Sequence, residues 1–135
     1  MGTSVEYSSQ NEIRPRHRVL IVEDELFIAL DLEETVKAMG FDVAGLANGQ
    51  DQALQLAALA DIAFVDVNLS DGPTGPEIGR RLVEEFGVTV VFMTGNPEAV
   101  ADRLNGALGV VTKPAMPSTV ERTLKQASEA RISFN

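Results

Sequence analysis

At 135 residues and 44% apolar content, the chain is long enough for one domain with its own buried core. It has no cysteine, which removes disulfide and thiolate chemistry and fits a reducing, cytoplasmic setting, and no apolar run approaches the roughly 18 residues a membrane helix needs. Twenty acidic against 11 basic residues, a net charge of −9, oppose a general nucleic-acid or anionic-membrane partner.

Residues 1–17 are rich in Ser, Glu, Gln and Asn with a proline at 15. They read as a flexible tail, with the folded domain expected over residues 18–132. The tail carries the one basic patch, Arg14, Arg16, His17 and Arg18. His17 is the sole histidine, with no second His or Cys to complete a transition-metal ligand set. Arg18-Val19-Leu20-Ile21-Val22 is β-branched and reads as a strand, ending at Glu23-Asp24-Glu25. Leu26, Ala29, Leu32, Val36 and Met39 recur at helical spacing, and Gly40 is a stop. Phe41–Ala44 reads as a short second strand. Asn48-Gly49 is a turn, and Asp51 to Leu59 reads as a helix.

Ile62-Ala63-Phe64-Val65 reads as a buried central strand, continued by Val67. The turn-rich run Leu69 to Pro76 is a loop. A helix is expected over Glu77–Phe86, closed by Gly87, then a strand over Val88–Met93 and a short helix from Glu98 to Leu104. Leu108–Thr112 reads as the fifth strand, and a last helix runs from Pro117 or Ser118 to about Ile132. Five strands alternating with five helices, joined by short connections, predict a doubly wound α/β domain with a parallel sheet covered on both faces.

In such a sheet, ligands bind beyond the carboxyl ends of the strands. The first strand ends in Glu23-Asp24, the third in Asp66, the fourth in Thr94 and the fifth in Lys113. Taken singly, each has an ordinary explanation. Glu23 favours a helix N-terminus, Thr94 is placed to cap the next helix, Lys113 suits a surface and Asp66 suits a turn. Taken together, three carboxylates at one edge repel and call for a cation. Hard oxygen donors without His or Cys favour Mg²⁺. Lys113 can pair with Asp66 or with a phosphoryl oxygen, and the Thr94 hydroxyl can donate to another. An Asp between a divalent cation and a Lys suits formation of an aspartyl phosphate.

The ordered set Glu23-Asp24, Asp66, Thr94 and Lys113-Pro114 resembles the CheY-like receiver domain of bacterial two-component response regulators, over about residues 18–131. The resemblance implies a flavodoxin-like sheet of order 2-1-3-4-5. It implies that Asp66 accepts a phosphoryl group from a histidine kinase or phosphotransfer protein. Mg²⁺ would be held by Asp24, Asp66 and the backbone carbonyl of Asn68, with Glu23 acting through a water. Thr94 and Lys113 would contact the phosphoryl group, and the Lys113–Pro114 bond would be cis. Phe27, Ile28 and Asp31, sharing the outer face of the first helix, would dock the kinase, although Phe27 and Ile28 also fit a core role.

Phe92-Met93-Thr94-Gly95 partly resembles the FAT GUY receiver subclass, with Met93 in place of Ala and Asn96-Pro97 departing from the remainder. Receivers commonly carry an aromatic residue three positions before the Lys, where this chain has Val110. The short stretch between Thr94 and Lys113 implies a reduced fourth helix. A single-domain regulator acting by protein contact, with no DNA-binding output, is the expectation. Three other readings compete. A haloacid dehalogenase-like phosphohydrolase needs a second Asp two residues after the nucleophile, and that position is Asn68. A degenerate receiver would lack the acid, hydroxyl or Lys positions, and all are filled. A flavin or nucleotide binder would carry a Gly-rich loop after the first strand.

Overall fold

The run Ile62-Ala63-Phe64-Val65-Asp66 forms the central strand because every side chain in it has an apolar layer to enter, and all five residues are buried. The computed structural model of the chain describes residues 17–103 and 106–133. Its strands are β1 (Arg18–Val22), β2 (Asp42–Ala47), β3 (Ile62–Asp66), β4 (Thr89–Thr94) and β5 (Gly109–Thr112). They pair in parallel in the order β2-β1-β3-β4-β5, as the resemblance implies. The helices are α1 (Leu26–Ala38), α2 (Gln50–Leu56), α3 (Gly75–Phe86), α4 (Pro97–Val100) and α5 (Pro117–Ser133).

Two buried clusters clothe the sheet. Ala29, Leu32 and Val36 of α1 and Val120, Leu124 and Ala127 of α5 pack on Val19, Ile21, Ile62, Phe64, Val91 and Met93. On the other face Ala53 of α2 and Ile78 and Leu82 of α3 meet Leu20, Val22, Ala63, Val65, Val90 and Phe92. Alternate residues of each central strand thus serve opposite layers, each large side chain contributing about 1.5–3 kcal/mol by leaving water. Gly87 ends α3 in the left-handed region (φ 68°), with the Gly87 and Val88 N–H groups donating to the Val83 and Leu82 carbonyls, as a glycine stop should.

Four local expectations shift. The second strand runs on to Ala47, because Gly45, Leu46 and Ala47 pair with Leu20, Ile21 and Val22 past a register shift between Val19 and Leu20, where β2 carries Ala44 as an extra residue. That is tertiary pairing overriding weak strand propensity. The second helix ends at Leu56 and tightens into a 3₁₀ turn over Ala57–Leu59. The fourth helix is reduced to Pro97–Val100 plus a 3₁₀ turn over Ala101–Arg103, while Leu104 and Asn105 lie outside the described residues. His17, assigned to the tail, is instead buried, 4% exposed, with its Nδ1 2.9 Å from Ser128 Oγ on α5. The tail expectation for residues 1–16 lies outside the described residues. Among those described, no helix is long and apolar enough to cross a membrane.

Candidate functional site

Parallel pairing brings all five carboxyl ends to one edge. Glu23 and Asp24 leave β1, Asp66 ends β3, Thr94 ends β4 and Lys113 follows β5. Each carboxylate of Glu23, Asp24 and Asp66 offers an oxygen, and the three lie within 4.8 Å of one another. The Lys113 ammonium reaches into this group, 2.9 Å from Asp66 Oδ2 and 3.2 Å from Glu23 Oε1. Asp66 Oδ1 accepts the Asn68 N–H at 3.0 Å, and Glu23 Oε2 accepts the Glu25 N–H at 3.1 Å. Asp66 and Glu23 are buried, whereas Asp24 is half-buried.

The electrostatics follow from that burial. Desolvation pushes the Glu23 carboxyl up to about 7. The Glu25 N–H works against it, the Asp66 charge adds to it, and Lys113 again opposes it. Burial also works against the Lys113 ammonium and is its largest single influence. The hydrogen bond and charge of Asp66, then those of Glu23, outweigh it and leave Lys113 above the ordinary lysine value. Lys113 therefore stays charged. Three carboxylates face one ammonium, and the excess is negative, which is what a hard divalent cation fits. Asp24 is the most accessible of the three acids, so the open side of the cluster is the side an ion would enter.

Thr94 is buried, and its hydroxyl accepts the Asn96 N–H at 3.1 Å where α4 begins. Its carbonyl accepts the Lys113 N–H at 2.9 Å, so Thr94 and Lys113 are tied through backbone across β4 and the residue after β5. The Lys113–Pro114 peptide is cis. On α1, Ile28 and Asp31 line a groove of about 360 Å³ with Leu32, Met93, Lys113 and Pro114. Phe27, next to Ile28 along α1, is 82% exposed. Val110, at the position of the missing aromatic, points outward at 39% exposure.

Sequence reasoning places Gly75 only within a turn-rich loop, and the structure starts α3 there, hard against the end of β3. One sequence holds no signal separating that glycine from the neighbouring turn glycine, Gly72.

Comparison with known proteins converges on this arrangement. A family model described as the response regulator receiver domain matches residues 19–125. The phyllosphere-induced regulator PhyR of Methylorubrum extorquens is 33% identical over 114 residues, covering 81% of this chain and 42% of that protein. The aerobic respiration control protein ArcA of Escherichia coli is 36% identical over 104 residues, 73% of this chain and 43% of its own length. The chain thus spans less than half the length of these curated relatives. Among solved structures, the receiver domain of Erythrobacter litoralis PhyR superposes with a TM-score of 0.75 at 35% identity, covering 82% of this chain and 88% of that one. The anti-anti-sigma factor PhyR of Bartonella quintana gives 0.78 at 25% identity, over 96% of this chain and 54% of that one. The acidic cluster with its lysine, the sheet order and these matches agree: the chain belongs to the response regulator receiver domain family, the phosphorylation-dependent signalling domains of two-component systems.

Proposed function

We propose that Asp66 is the phosphoacceptor of this receiver, taking a phosphoryl group from a histidine kinase or phosphotransfer protein. The observation that carries the reading is the shared ammonium, since Lys113 bonds both Asp66 and Glu23 and lies where charge on a transferred phosphoryl group needs neutralising. In the transfer, an Asp66 carboxylate oxygen attacks phosphorus. The new P–O bond forms as the donor's P–N bond breaks, the bonding pair staying on the departing imidazole nitrogen, which takes a proton from solvent. The Asn68 N–H and Lys113 hold the carboxylate against rotation. Asp24, Asp66 and the Asn68 carbonyl would hold Mg²⁺, with Glu23 assisting through a water. The ion supplies charge neutralisation of the phosphoryl oxygens. The groove lined by Ile28 and Asp31, with exposed Phe27 on the same helix, suits the docking of the donor protein, because exposed apolar side chains mark partner surfaces.

The signal leaves through Thr94. Its hydroxyl is a donor for the new charged oxygens, and turning toward them disturbs the bond it accepts from Asn96 at the start of α4. Val110 has no ring to rotate, so the change falls on residues 94–109, whose described residues between β4 and β5 include one α-turn and one 3₁₀ turn. The altered surface engages or releases a protein. The anti-anti-sigma role of the Bartonella relative makes such an output natural.

One experiment tests both parts. The chain is treated with acetyl phosphate and Mg²⁺ and read by intact mass, and beryllofluoride-bound chain is read by NMR. Wild type takes one phosphoryl group, Asp66→Asn takes none while remaining folded, and shifts spread across residues 94–109. Undiminished Mg²⁺-dependent labelling of Asp66→Asn rejects the acceptor. Shifts confined to the immediate site reject the output route.

A further inference from the structure

We propose that Gly75 is a positioning residue for the phosphoacceptor, a role that rests on the assignment of Asp66 above. Gly75 is the buried first residue of α3, and its N–H donates to the Val67 carbonyl at 3.2 Å. A side-chain carbon at this position would overlap the Asp66 carbonyl oxygen, and would lie 2.6 Å from Val67 Cα and 2.7 Å from Val67 O. All three obstacles are backbone, so no side chain can swing aside. The need is for room, because the φ of Gly75 lies outside the left-handed region.

Neither wall can retreat without loss. The end of β3 is pinned to β4, where Asp66 is in register with Met93 and the Val67 N–H donates to the Met93 carbonyl at 2.9 Å. On the other side, α3 is packed down one turn later at Gly79, where the Phe92 ring fills the space a side-chain carbon would need. Lifting α3 would open a void beside Phe92, Ile78 and Leu82, all core residues.

The contacted backbone is the backbone of the site. The Asp66 carbonyl is one bond from the Cα that bears the carboxylate. The Asn68 N–H that holds Asp66 Oδ1 belongs to the second peptide onward. The close approach at Gly75 therefore sets the aim of the carboxylate relative to Lys113 and the placement of the Asn68 carbonyl. Misplacing a reacting group by about 1 Å costs on the order of 100-fold in rate, which makes this contact a determinant of phosphorylation as well as of packing.

Gly79 supplies the matched control. A methyl at 79 collides with the Phe92 ring, disturbing the same helix and the same core on a side chain away from the carboxylate. The test compares wild type, Gly75→Ala and Gly79→Ala for thermal stability, Mg²⁺ affinity and labelling by acetyl phosphate over a range of donor concentrations. Both variants lose stability. Gly75→Ala lowers the maximal labelling rate by roughly 10- to 100-fold and weakens Mg²⁺ binding, whereas Gly79→Ala, whose clash falls on a movable ring, labels at the wild-type rate. If Gly75→Ala does not fold unaided, all three chains are compared in trimethylamine oxide, which favours the compact state. A labelled wild type with equal rates for the two folded variants overturns the positioning role alone. A wild type that takes no label rejects the phosphoacceptor reading, and the positioning role falls with it.

Discussion

The two ends of the sheet use charge in opposite ways. At the amino edge, charges are settled among themselves. Asp61 accepts the Arg18 N–H at 2.9 Å and faces Arg131 at 3.8 Å. Arg131 also donates to the Gly87 carbonyl and the Thr89 hydroxyl, and His17 meets Ser128. One carboxylate has one guanidinium, and the result fastens α5 to the entry of the sheet. At the carboxyl edge, three carboxylates cluster and one ammonium bridges only the two buried ones, Glu23 and Asp66. Burying an excess of like charge destabilises a fold, so this edge holds an imbalance that a cation would relieve. The amino edge is settled for holding, and the carboxyl edge is left with charge unbalanced.

The most forceful way to break the comparison is to remove single acids from the reactive edge and titrate Mg²⁺. Asp24→Asn, removing the accessible acid proposed to touch the ion directly, should lower affinity beyond the ~100-fold upper end for groups that only orient a ligand. Glu23→Gln should cost about tenfold if Glu23 acts through a water as proposed, the lower end for groups that only orient a ligand. Equal losses would contradict the division of labour between the two acids. The same variants should leave the amino edge intact, with α5 exchange protection unchanged.

How much of this contrast is legible in the sequence depends on what each residue type needs. The carboxyl edge is legible because parallel topology forces strand ends together, so Glu23, Asp24, Asp66 and Lys113 could be grouped from strand assignments alone. Order along the chain then carried the family resemblance. The amino edge is not legible. His17 and Arg131 lie 114 positions apart at the two ends of the sequence, and nothing local says that α5 returns to the foot of β1. His17 among polar neighbours reads as tail for the same reason. The extra length of β2 is hidden too, since Gly45 and Ala47 have little strand preference and become a strand only through β1. Gly75 is hidden because crowding by backbone leaves no trace in composition.

A smaller effect sharpens the other side of the comparison. Arg131→Met keeps the aliphatic stem and removes the donors to Gly87 and Thr89 and the charge facing Asp61. Hydrogen bonds of this kind are worth about 0.5–1.5 kcal/mol net each, and these are partly solvated. The expected loss is therefore about 1–2 kcal/mol, read as a shift in the urea midpoint. Acetyl phosphate labelling should not change, because the substitution shares no partner with the reactive edge. Slower labelling would mean that the two edges are coupled through α5.

The smallest effect concerns the pH dependence of stability at the amino edge. Burial holds the His17 imidazole below its ordinary value. Asp61 pulls the other way, and Arg131 reinforces burial. Above about pH 6.5, the unfolded reference for histidine, His17 is neutral in both states and contributes no slope. As the pH falls below that value, the unfolded chain takes up a proton that the folded chain resists. Stability is then lost progressively until the folded pKa is passed. His17→Gln removes this contribution and keeps an amide near Ser128. The stability difference between wild type and His17→Gln should therefore be flat above about pH 6.5 and turn against wild type just below it. Carboxylate titrations common to both chains cancel in that difference, so the measurement is a pair of urea midpoints at each pH. It should be the same with and without Mg²⁺, since the proposed ion site lies at the opposite edge. A difference that turned in favour of wild type on acidification would mean that Asp61 outweighs burial and Arg131 together, making the amino edge a site that gains from protonation.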